Sequence, residues 1–344
     1  MLVFRRSRLV DGSAYDCKCS DTLFTLHVDS ATGKIAAIYP EGETPADPAT
    51  AVVRDMAGAT LCTGLIDVQM NGAFGVDFAD PQLRTEDVDT VLRGLLAHGV
   101  TAVCPTIISS PPATYAAALP VIRQMMRAQH ETSGLTTCRI IGAHLEGPYL
   151  AEARKGAHAA SRLQVPGGVS GRDPSRLADV LELYGLDGSD AASGLVRIVT
   201  LAPELPGGLA AITALQQGGV VAAIGHTTAD LDLAAAACSR GASLVTHLYN
   251  AMPSFGHRAP GPVGLLGGAD ALRTASAAAV NRASVPAVVS PTGCVSSAYG
   301  TLPFCDSPVP RPWPATPPFW SIIADGVHVH PAAIGACSSR TFQS

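Results

Sequence analysis

Two histidines, each placed where an apolar run gives out, constrain this chain more than any other feature. The run Val220 to Gly225 ends at His226, and the run Ala242 to Thr246 ends at His247. Between them, Ala229 to Arg240 is alanine-rich and free of glycine and proline, which predicts a helix. The pattern is strand–His, helix, strand–His. In a parallel α/β barrel the functional groups sit at the strand ends, so two imidazoles would face one mouth. A third run, Arg139 to Leu145, ends at Glu146 and is stopped by Gly147-Pro148. Glu146, His226 and His247 make a two-histidine, one-carboxylate set. Three protein ligands leave a fourth position for water, the arrangement of hydrolytic zinc sites. The plainer alternative is that two of these three are buried polar groups satisfied by backbone.

Length and composition bound the rest. With 344 residues the chain has room for one large α/β domain or two domains. Hydrophobic residues make up 47% and charged residues 15%, enough apolar material for a packed core. The net charge of −5 and the lack of any Lys/Arg run argue against nucleic acid or an anionic membrane as the main partner. No apolar run is long enough to span a membrane, and the start, Met1 to Arg8, lacks a signal-peptide core. Nine cysteines without zinc-finger spacing read as reduced thiols in a cytoplasmic protein.

Residues 1–60 alternate short apolar runs (Thr22 to Val28, Lys34 to Tyr39, Ala51 to Arg54) with turn residues, which predicts a small β-domain. Strand candidates follow at Leu61 to Val68, Thr101 to Ile108, Arg139 to Leu145, Arg197 to Leu201, Val220 to Ile224, Ser243 to Thr246 and Trp320 to Ala324. Helix candidates lie between them at Thr85 to His98, Ala113 to His130, Pro174 to Tyr184 and Ala229 to Arg240. This alternation predicts an α/β barrel domain over 61–334 with a parallel sheet. A closed barrel needs an eighth strand, which this reading does not find. A Pro/Ala/Ser-rich insertion at about 271–318 keeps neither period and reads as loop, and 335–344 is a short polar tail.

The motifs together resemble the N-acetylglucosamine-6-phosphate deacetylase family of the amidohydrolase superfamily. The stretches that carry the resemblance are Gly64 to Gly72, His144 to Pro148, Lys155 to His158, Thr200 to Glu204, Gly225 to Thr227, Thr246 to Met252, His257-Arg258, Pro260-Gly261 and Ile323 to His328. The resemblance implies a metal-dependent (β/α)8 barrel, a small β-sandwich built from both chain ends, and a homodimer. It assigns Glu146, His226 and His247 to one divalent metal, zinc first, with iron, manganese or cobalt as alternatives. Gln69 and Asn71 stand where related enzymes carry a His-x-His pair for a second metal, and neutral amides are poor ligands. They are expected either to close the barrel floor by hydrogen bonds or to touch substrate.

The implied substrate is N-acetylglucosamine 6-phosphate. Asn250 and Ala251 would offer backbone N–H groups to its phosphate at a loop-to-helix start, and Arg258 would reach a phosphate across the dimer interface, with His257 beside it. Ala157 and His158 would line the sugar pocket, and His328 would bond the substrate near its acetamide. His144 is expected to be structural or to support Glu146, and His98 and His130 to cap helix carbonyls. The reaction implied is hydrolysis of the acetamide to glucosamine 6-phosphate and acetate.

One departure stands out. The family carries its proton-transferring Asp in a Val-Thr-Asp-Ala motif, and that motif does not occur in this sequence. No catalytic residue is therefore assigned. Insertion, tail and missing motif together suggest an incomplete or aberrantly spliced form with impaired turnover. The alternatives are an inactive product that binds metal or sugar phosphate or pairs with a complete subunit, and a different amidohydrolase such as a cyclic-amide hydrolase.

Overall fold

In the computed structural model, which describes residues 1–10, 21–43, 46–131, 136–167, 172–267, 319–321 and 323, the chain divides into two compact units. The first is Met1–Leu65 and the second begins at Ile66.

The first unit is a single mixed sheet of β1 (Leu2–Leu9), β2 (Phe24–Val28), β3 (Ile35–Pro40), β4 (Val52–Asp55) and β5 (Thr60–Leu61). Its order is β3-β2-β1-β4, with β5 also on β1. Three of these strands match the expected β-runs. The central strand, β1, does not, because Arg5, Arg6 and Arg8 break its apolar pattern. Its register shifts between Phe4 and Ser7, and Arg6 takes a left-handed φ of 50° there while its guanidinium pairs with Asp55. Val3 and Leu26 are buried, whereas all of β4 is exposed.

The second unit contains the parallel sheet. Its strands are β6 (Leu65–Met70), β9 (Val100–Ile108), β10 (Arg139–Ile140), β11 (Ala143–Glu146), β12 (Val196–Leu201), β13 (Val221–Ile224), β14 (Ala242–Val245) and β15 (Phe319–Trp320). A two-residue hairpin, β7 (Gly72–Ala73) with β8 (Val76–Asp77), follows β6. Six of the seven expected strands are present, and the seventh, expected at Trp320 to Ala324, overlaps β15 only at Trp320, with 322 and 324 outside the described residues. The strands lie in sequence order, β6-β9-β11-β12-β13-β14-β15, and every pairing from β9 to β15 is parallel. β10 and β11 are two pieces of one strand, both on β9. The break falls at Gly142, whose φ of 123° excludes a side chain, since a Cβ there would sit 2.6 Å from the Gly194 carbonyl oxygen. Among the described residues β6 pairs only with β9 and β15 only with β14, so the sheet is an open parallel half-barrel.

The helices are α1 (Thr85–Leu96), α2 (Pro112–Glu131), α3 (Leu177–Leu181), α4 (Gly188–Ala192), α5 (Gly208–Gln217) and α6 (Leu231–Ser239). In α1, Val88, Val91, Leu92 and Leu95 recur at helical spacing and are buried. Asp230 caps α6 by accepting the Leu233 N–H at 2.8 Å. The Pro174 to Tyr184 helix is shorter than expected, a five-residue α3 followed by a 3-10 turn at Glu182–Tyr184. Outward strand residues such as Val103, Leu145, Val199, Leu201 and Ile224 join these helices in one core. The inward residues Cys104, Ile198, Ala223 and Leu244 make a second, separate cluster. Both sheet faces are therefore covered, which is why the strands read as unbroken apolar runs. The insertion at 271–318, the tail 335–344, His328 and Asp325 lie outside the described residues.

Candidate metal centre

Side chains alternate along a strand, so residues two apart share a face. On the inner face this makes layers. The lowest is the apolar cluster of Cys104, Ile198, Ala223 and Leu244. Next come Thr106, His144, Thr200 and Thr246, all buried. At the strand ends stand Glu146, His226 and His247, also buried.

These last three converge. His226 Nε2 lies 3.2 Å from Glu146 Oε1, His247 Nε2 lies 3.0 Å from the same oxygen, and the two Nε2 atoms are 3.0 Å apart. Their ligand atoms all fall within 4.8 Å of one another. The two histidines leave their strands with φ of 47° and 32°, left-handed values that cost a non-glycine residue ~1–3 kcal/mol. Backbone held in that state at two successive strand ends is what turns both rings inward.

The tautomer of one ring is fixed by its surroundings. His226 Nδ1 is 2.8 Å from the Arg154 carbonyl, which can only accept, so Nδ1 carries the proton and Nε2 presents its lone pair inward. His247 Nδ1 is buried without a hydrogen-bond partner among the described residues. Gln69 Nε2 donates to Glu146 Oε1 at 2.9 Å, so the amide orients the carboxylate. Burial alone would raise the Glu146 pKa, but the histidines around it, His226 and His247 first, hold it well below the usual carboxylate range. An ionised carboxylate and two imidazole nitrogens crowded into one dry spot need a cation between them. This donor set fits a divalent metal ion.

His158 forms one wall. Its ring packs edge-on against His226 at 4.5 Å, and Nε2 is 3.9 Å from Glu146 Oε2. Nδ1 is 2.8 Å from the Ser109 hydroxyl and 3.3 Å from the Ser109 N–H. Because the backbone N–H can only donate, Nδ1 accepts and Nε2 carries the proton. Burial pushes the His158 pKa down to about 4. Glu204, quoted above only within Thr-Leu-Ala-Pro-Glu, clamps the next loop, accepting from the Thr227 hydroxyl and from the Thr228 N–H and hydroxyl. An acidic residue just past a strand end was its signal.

Other expected residues fare differently. The Asn250 N–H is not free for an anion, because it donates to the His247 carbonyl at 2.9 Å, and no helix starts there; residues 246–251 are turn. The Asn250 Nδ2 is buried without a partner among the described residues. Gly256 and Ala259 exchange both backbone hydrogen bonds at 3.2 Å, so His257 and Arg258 occupy the exposed tip of a tight turn. Ala157 is exposed beside His158. His98 stacks on Phe74 at 6.1 Å instead of capping a carbonyl.

Over 286 residues the chain is 37% identical to the N-acetylglucosamine-6-phosphate deacetylase of Rattus norvegicus, covering 82% of this chain and 54% of that one. The crystal structure of the N-acetyl-D-glucosamine-6-phosphate deacetylase from Mycobacterium smegmatis superimposes with a TM-score of 0.68 at 25% identity, covering 99% of this chain and 68% of that one. This chain belongs to the N-acetylglucosamine-6-phosphate deacetylase family. A mutant of the mycobacterial enzyme, in complex with N-acetyl-D-glucosamine-6-phosphate, matches with a TM-score of 0.65 at the same identity and coverage. No family model matches the chain. The chain spans about half the length of the curated deacetylase relatives it matches. The sequence resemblance and the fold thus agree.

Proposed function

We propose that this chain binds one divalent metal ion, zinc in the first instance, through Glu146, His226 and His247, and hydrolyses the acetamide of N-acetylglucosamine 6-phosphate. The convergence of one carboxylate oxygen and two imidazole nitrogens in a buried site at the strand ends carries this reading. When bound, such an ion supplies Lewis acidity, polarising a carbonyl and making hydroxide available near neutral pH. The protein's own residues do the rest. The Arg154 carbonyl and Gln69 orient His226 and Glu146. His158, neutral and protonated on Nε2, offers a hydrogen bond to a sugar hydroxyl or carbonyl, with Ala157 beside it.

The same substrate is named in the complex of the mycobacterial relative. The buried Asn250 side-chain amide, the Ala251 N–H and the Arg258 fork suit a phosphate, and Arg258 on its exposed turn suits one held by a second copy in a homodimer. His257 and His328 complete the expected binding set. Cytoplasmic turnover of amino sugars is the setting this implies.

A second reading is favoured by one observation. Glu146 is occupied as a ligand, and the sequence holds no Val-Thr-Asp-Ala, so no carboxylate is assigned to move the proton. Loss of such a group slows an enzyme by ~10²–10⁴-fold. We therefore expect slow acetate release from N-acetylglucosamine 6-phosphate by zinc-loaded protein, abolished in Glu146→Ala. Zinc binding without any acetate release would favour a chain that only binds. Failure to bind zinc at all would overturn the metal assignment.

A further inference from the structure

Directly beneath the three strand-end residues runs a chain of buried polar groups that the proposed reaction does not use. His144 Nδ1 is 2.9 Å from the Val68 carbonyl. His144 Nε2 is 2.7 Å from the Thr200 hydroxyl, which is 2.7 Å from the Thr246 hydroxyl. Its direction is fixed at one end. The Val68 carbonyl can only accept, so Nδ1 carries the proton. In a neutral imidazole Nε2 must then accept from Thr200, which leaves the Thr200 oxygen to accept from Thr246. The four residues belong to β6, β11 and β12, and to the end of β14.

A glycine makes the last link possible. Thr200 and Thr246 stand on either side of the end of β13, and Gly225 lies between them. A Cβ at Gly225 would sit 2.7 Å from Thr200 Cγ2 and 2.9 Å from Thr246 Cβ, forcing the two hydroxyls apart. Each member adjoins one member of the layer above. His144 is two residues before Glu146 on the same face, Thr200 is the register partner of Glu146, Gly225 precedes His226, and Thr246 precedes His247.

We propose that His144, Thr200 and Thr246 form a one-way hydrogen-bonded belt that positions Glu146, His226 and His247 for metal binding, with Gly225 as the gap through which it closes. The proposal rests on the metal reading above. Ordinary core packing would need only that these polar atoms be satisfied. The belt instead joins strands on both sides of β13, so it fixes the spacing of three ligands that come from three different strands. Losing one hydroxyl leaves its neighbour's lone pair unmet in a dry interior and frees the strands to shift by the few tenths of an ångström that a ligand triangle cannot absorb.

The test uses the whole chain and Zn2+ alone, with affinity measured by competition against a chromophoric chelator. Thr200→Val should bind Zn2+ about 10–100-fold more weakly, as for loss of other groups that orient metal ligands. Thr200→Ser, which restores the hydroxyl, should return to within about threefold of the parent. Thr246→Val and Thr246→Ser should behave as the same pair. Separately, imidazole 15N shifts of the metal-free parent, assigned by subtraction with His144→Gln, should show His144 protonated on Nδ1. Equal Zn2+ affinity in Thr200→Val and the parent would overturn the proposal. So would serine variants as weak as the valine variants, a His144 protonated on Nε2, or valine variants that fail to fold while the serine variants fold normally. A parent that binds no Zn2+ sinks the metal reading instead, and the 15N measurement still decides whether the belt exists.

Discussion

The lower and upper halves of the parallel sheet are built from the same strands but obey different rules. Below, Cys104, Ile198, Ala223 and Leu244 pack into a small apolar cluster that hydrogen-bonds nothing with its side chains. Above them the inward layer turns polar at Thr106, His144, Thr200 and Thr246, and at the strand ends stand a carboxylate and two imidazoles, none of them more than 6% exposed. Burying such groups is costly unless every one is paired or holds an ion. The lower half thus supplies folding free energy, and the upper half consumes some of it, in left-handed histidines and desolvated charge, to hold a geometry. Stability at one end and chemistry at the other is the division expected of parallel barrels.

The largest effect that would sharpen this contrast is in the lower half. Ile198→Ala removes a buried side chain from the centre of the small cluster and should lower unfolding free energy by about 2–5 kcal/mol. Its Zn2+ affinity, measured below the melting transition, should match the parent. A large drop in affinity without loss of stability would break the division.

The next concerns His158 and acid. Burial holds its pKa at about 4 against an ordinary 6.5. Between those two pH values the unfolded chain binds a proton that the folded chain does not. Stability therefore falls as pH drops through that window, by up to about 3 kcal/mol near pH 4. Urea unfolding of metal-free protein at pH 7 and pH 4.5 should show a smaller acid loss in His158→Gln than in the parent. An equal loss in both would mean that the wall of the site does not pay this penalty.

The smallest effect belongs to Gln69. Gln69→Leu keeps the volume but removes the donor to Glu146 Oε1, and Zn2+ affinity should fall by about 10–100-fold with little change in melting temperature. Unchanged affinity would reduce Gln69 to a filler of the barrel floor.

Most of the architecture was legible beforehand because a parallel sheet covered on both faces writes itself as separate apolar runs. The six runs from Leu61 to Thr246 became strands, and the three residues at the ends of three of them met. The first unit was less legible, since β1 alternates with arginines and its central place depends on partners far along the chain. The short α3 was over-read, because periodicity outlasts the hydrogen-bonded turns that tertiary packing allows. The Asn250 N–H was not legible for a local reason: the turn that follows His247 closes on itself and takes that donor.

By itself, the sequence determined the apolar runs that become β6 to β14 of the parallel sheet, and that Glu146, His226 and His247 would share one edge, since period and strand-end position are local properties. Only the tertiary structure decided the tautomer of His226, the orientation of Glu146 by Gln69, the clamp at Glu204 and the belt through His144, Thr200 and Thr246. Each of these depends on a partner at least 23 residues away in the chain, at a distance of a few ångströms that no spacing along one strand can specify.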